Sequence, residues 1–110
     1  MIEEIVLNYL KSNGINAYME RNDGIKGDFV LIEKTGGGEE NYIKNSTFAI
    51  QSFSNSLYNT ALLNEKVKEI MKQIIELDEV SKCKLNSDYN YTIPNTKEYR
   101  YQSVFDLVHY

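Results

Sequence analysis

The chain has 110 residues, 42% of them hydrophobic, and a net charge of −4 at pH 7. That length suits a single domain, 1–110, burying about 65% of its unfolded surface around one core. The acidity argues against docking through nucleic-acid phosphates, which takes clustered Lys and Arg, and the lone Cys83 excludes an internal disulfide framework.

A single cysteine fits a reducing compartment. The opening MIEEIVLNYLKSNG is acidic where a secretion signal would be basic. No apolar run approaches the roughly 20 residues of a membrane span, so no membrane partner is expected.

Ile2, Ile5, Val6, Tyr9 and Leu10 recur at helical spacing, and Gly14 stops the pattern. Residues 2–13 therefore read as a short amphipathic helix, with Glu3 and Glu4 favouring its N-terminal dipole. Asn16–Arg21 is a strand candidate closed by the Asn22-Asp23-Gly24 turn. Phe29–Glu33 is continuously apolar until its last residue, the pattern of a strand covered on both faces. Gly36-Gly37-Gly38 reads as a break, making 35–41 a mobile loop before a long strand over 42–53.

Asn55 or Ser56 caps a second helix, about 57–76, whose stripe is Leu63, Val67, Ile70, Met71, Ile74 and Ile75. Val80–Leu85 alternates as a strand. Asn86–Asn95 holds turn formers and Pro94. Tyr99, Tyr101, Phe105 and Leu107 share one face of a last strand, and the other face is half polar. The order α-β-β-β-α-β-β predicts an α+β fold, one mostly antiparallel sheet of four to five strands with two helices on one face.

Reactive groups are sparse. Gly36-Gly37-Gly38 lacks the Gly-Lys-Ser/Thr of a phosphate loop and runs into Glu39 and Glu40, which repel phosphate. His109, the only histidine, lies an odd three residues from Asp106, on the opposite strand face, and reads as a surface or edge residue. Cys83 alternates with Lys82 and Lys84, which point away from it, and reads as a half-buried structural thiol. Asp23, Asp28, Glu39 and Glu40 match no hard-metal spacing and read as solvated charge. Tyr89, Tyr91, Tyr99 and Tyr101 could stack bases, but only Lys97 and Arg100 lie near them, so cross-strand packing is expected. No catalytic residue, metal or cofactor is assigned, and no enzymatic activity is expected.

The segments FVLIEKTGGG (29–38), FAIQSFS (48–54), LNEKVKEIM (63–71), KLNSDYN (84–90) and YRYQSVFDLVHY (99–110) resemble those of the tail-completion proteins of long-tailed phages and Gram-positive prophages, called tail terminators or minor tail proteins. The resemblance spans nearly the whole chain and carries no catalytic signature. It implies an α/β subunit that assembles, usually as a hexameric ring, on the head-proximal end of the tail tube, with the tube protein and the head connector as partners and DNA passing through without specific binding. A location in the virion, after assembly in the host cytoplasm, follows. Within that picture Gly36, Gly37, Gly38, Glu39 and Glu40 are the candidate contact loop, and Glu39 and Glu40 the candidate lining of the channel. A head-completion or connector role in the neck and a small ligand- or nucleic-acid-binding module are the alternatives.

Overall fold

The computed structural model describes residues 1–110. Its elements are α1 (Ile2–Ser12), β1 (Ala17–Tyr18), β2 (Phe29–Glu40), β3 (Ile43–Ser54), α2 (Leu57–Lys72), a 3-10 turn (Ile74–Glu76), β4 (Val80–Asn90) and β5 (Tyr99–His109). This is the expected order. The strands form one five-stranded sheet in the order β1-β2-β3-β5-β4. All neighbours are antiparallel except β1, which runs parallel to β2 through Ala17↔Val30 and Tyr18↔Leu31. The sheet is therefore mixed: residues 19–28 carry the chain back to the end where β1 began instead of turning tightly.

Alternation along the strands sorts the side chains. Val30 and Ile32 of β2, Phe48 and Ile50 of β3, and Phe105 and Leu107 of β5 form one buried cluster with Ile2, Val6, Tyr9 and Leu10 of α1 and Val67 and Met71 of α2. Both helices thus cover the same face, as the apolar stripes require. The register sets Ile32 beside Ile50 and Phe48 beside Phe105, stacking large side chains across three strands. On the helix-free face Phe29 stacks on Phe53 with ring centroids 4.7 Å apart. Burial on both sides at this end of β2 explains the unbroken apolar run at its start.

Local chemistry fixes the helix ends. The Ser56 hydroxyl accepts from the Asn59 N–H at 3.1 Å and caps α2. The helix stops at Lys72, and the buried Ile74 follows in a tighter turn. Asp88 on β4 accepts from Asn64 and Lys68 of α2, each at 2.6 Å, which pins the helix to that side of the sheet.

Two expectations fail here. The three glycines are not a loop: Gly36, Gly37 and Gly38 pair with Thr47, Ser46 and Asn45 inside a continuous hairpin, after a bulge at Thr35. The reversal falls on Asn41 and Tyr42, whose φ angles of 52° and 68° are both left-handed. A two-residue turn of this kind matches the twist of the flanking strands, and Asn tolerates it. β4 also outruns its expected end at Leu85. It continues to Asn90 because Tyr89 and Asn90 find partners in Gln102 and Tyr101.

Tyr42 is 91% exposed, so its strained backbone is offset by no packing. Tyr42→Gly should raise the unfolding free energy by about 0.5–1 kcal/mol, the strain removed less the added chain entropy. Urea denaturation would register this as a higher midpoint with an unchanged slope.

Candidate functional site

Reactive side chains meet at one place. The Ser46 hydroxyl and His109 Nε2 lie 2.7 Å apart. Ser46 is 3% and His109 4% exposed. His109 is therefore a buried residue, against the expectation of an exposed one. β5 lies between β3 and β4, so its last residue pairs with Lys44 on one side and Val80 on the other. The signal was present in the spacing, since His109 shares the parity of Phe105 and Leu107. Ser46 gave none, lying 63 residues away in sequence.

A Ser–His pair is part of a nucleophilic site, but the rest of one is missing. No carboxylate orients the imidazole; Nδ1 faces only the Tyr110 carbonyl, at 3.4 Å. Asp106 stands on the other face, where it accepts from Thr47 at 2.7 Å and Asn86 at 2.9 Å. These bonds hold its carboxyl below the usual range. The Ser46–His109 bond instead ties β3 to β5 near the turn of the β2–β3 hairpin. Burial pushes the His109 pKa down, aided by Lys44 and Lys34 and opposed by the Tyr110 carbonyl and Glu3.

Cys83 is half-buried below α2. Burial, and then the charge of Asp106, push its thiol up to about 11. Such a thiol is not a nucleophile at neutral pH. No three His, Cys, Asp or Glu side chains converge as a metal site would need. Asp28 is engaged by the Ser54 hydroxyl at 2.6 Å.

The largest depression, about 470 Å³, lies beside the Phe29–Phe53 stack and is lined by Arg21, Gly27 and residues 96–99. The Arg21 guanidinium lies 5.2 Å and that of Arg100 5.9 Å from the Phe53 centroid. Arg21 is in turn paired with Glu98 at 2.7 Å. Tyr91 meets Tyr89 edge-on and carries Arg100 over its face at 4.8 Å. Much of this aromatic surface is already engaged within the chain, as the packing reading expected.

The candidate contact residues Gly36, Gly37, Gly38, Glu39 and Glu40 lie consecutively on an exposed sheet border. β1 pairs with β2 only at Val30 and Leu31, leaving Glu33–Glu40 without a neighbour on the outer side. Glu39 and Glu40 do not share a wall. Glu39 borders a depression with Lys34, Lys44, Ser46 and His109, whereas Glu40 sits with Ile43 and Asn45 on the other side of the strand. At the opposite border β4 is equally uncovered, with Lys82 and Lys84 exposed on the helix-free face.

No protein-family model matches this chain, and no curated protein matches it.

Two measurements check these assignments. A histidine whose pKa is lower folded than unfolded favours folding when neutral. Stability should therefore hold above pH 6.5, its ordinary value, and fall as acid protonates the unfolded chain first. Asp106, also lowered, contributes nothing to this slope above its ordinary 3.8 by more than a unit. Denaturant titrations between pH 7.5 and 5 should show the loss in the native protein and a flatter profile in His109→Gln. Cys83 should react with a neutral alkylating agent at pH 8 far more slowly than a free thiol, and at the free-thiol rate once urea unfolds the chain.

Proposed function

We propose that this chain is a structural subunit of a phage or prophage virion. It caps the head-proximal end of the tail tube as an oligomeric ring, a hexamer by the resemblance, ends tube growth and joins the tail to the head connector. The segments quoted above suggest the family. The observation that carries the reading is the uncovered β2 border from Glu33 to Glu40, an exposed row of backbone donors and acceptors beside three residues with no side chain. Such a border suits a subunit completed by its neighbours.

In this reading the partners are copies of the chain, the tube protein and the connector. No helix is long and apolar enough to cross a membrane. We assign the helix-free face to the DNA channel. Glu33 and Glu40 lie at one margin of that face and Lys82 and Lys84 at the other, with Asp106 between them. The three carboxylates outnumber the two lysines, so phosphates meet no continuous cationic track. Of the candidate lining residues Glu39 and Glu40, which point to opposite sides of β2, only Glu40 lies on this face.

Electron microscopy of particles made without the protein tests the assignment. Tubes of uncontrolled length, unattached to heads, are expected. Tails of normal length lacking only heads would move the protein to the head side of the neck, and normal virions would overturn the reading altogether.

A further inference from the structure

The two bare borders of the sheet differ in a way that selects one occupant. The geometry points to edge-to-edge pairing between copies of this chain: β2 of one subunit adds to β4 of the next. Adjacent strands alternate in direction from β2 through β3 and β5 to β4, so β2 and β4 run oppositely. Rotating a copy about an axis along the strands brings its β4 antiparallel to β2, and the helix-free faces become one surface. This inference takes its biological setting from the ring reading, but its chemistry is independent of it.

One register overlaps the free segments fully. Glu33–Glu40 and Lys82–Tyr89 are of equal length, and each carries a single bulge residue, Thr35 and Asn86. Aligning them antiparallel places Glu40 opposite Lys82 on the helix-free face and Lys34 opposite Asp88 on the helix-covered face. Glu40–Lys82 is a new opposite-charge cross-strand pair, and Lys34 joins the Lys68 that Asp88 already holds. Gly37 and Gly38 fall opposite Leu85 and Lys84, so the residues without side chains face two long ones. Leu85 is 42% exposed in the isolated subunit and gains cover in this arrangement.

The competing self-pairings fare worse. Two β2 borders aligned over the same segment set Glu33 against Glu40 twice and Lys34 against Glu39 twice, so repulsion cancels the attraction. Pairing of like borders also leaves the other border of each subunit bare. Only the unlike pairing covers both, and an unlike interface repeats around a ring until it closes.

Within one subunit Glu40 and Lys82 stand three strand spacings apart, about 14 Å, too far for a disulfide. Between paired subunits their Cβ atoms would lie about 5 Å apart. The test is therefore Glu40→Cys with Lys82→Cys in a Cys83→Ser background, held at up to about 1 mM to capture a millimolar dissociation constant, then oxidised with diamide. Both positions are exposed, and circular dichroism should match that of the parent. A ladder of covalent oligomers on a non-reducing gel is expected, ending at one closed species, with no dimers from either single-cysteine chain. Dimers from Glu40→Cys alone, or no product above the monomer, would overturn the pairing. A ladder combined with normal virions in the deletion experiment would keep the pairing and discard the tail assignment.

Discussion

The ladder between β3 and β5 supports everything else in this fold. It runs without a bulge from Lys44↔His109 to Ser54↔Tyr99, whereas outside it β2 on β3 carries one register shift and β4 on β5 two. Its helix-covered side supplies Phe48, Ile50, Phe105 and Leu107, against which both helices pack. Losing Phe48 alone would cost about 3–5 kcal/mol, a large share of the stability of a domain this size. The Ser46–His109 bond closes the same ladder at its far end.

How far the sequence discloses the fold depends on which signals are local. Helical stripes at Ile2–Leu10 and Leu63–Met71 and the alternation in Tyr99–Leu107 are period signals, and each yields an element close to its place. The glycine run misleads because the same residue serves turns and strands. What separates the cases is a partner strand, and Gly36–Gly38 find theirs in Asn45–Thr47. The true reversal rests on Asn41, a weaker signal beside a tyrosine that rarely adopts a left-handed backbone. β4 extends past Leu85 for a similar reason, through cross-strand partners that lie beyond any local window.

The site is readable to a different degree. His109 carries the parity of the core residues Phe105 and Leu107, yet its cover comes from strands on both sides, and that depends on strand order. No spacing states that β5 lies between β3 and β4. The meeting of Ser46 with His109 and the bare border of β2 both follow from that order and from the brevity of β1. Chemistry at the pair is limited by the lack of an orienting carboxylate, since Asp106 is held on the opposite face by Thr47 and Asn86. The face and borders of the sheet, more than any reactive group, are what this chain presents.

Strand order also sets a timetable for biosynthesis. β5 is the last strand to be made and sits in the interior of the sheet. At about 5–20 residues per second, several seconds separate the emergence of Ser54 from that of His109. Through that interval the β2–β3 hairpin and β4 have no common neighbour, and Phe48 lacks its cross-strand partner Phe105. The nascent chain is thus at its most adhesive just before this interior strand arrives, a window that favours prompt capture by a chaperone.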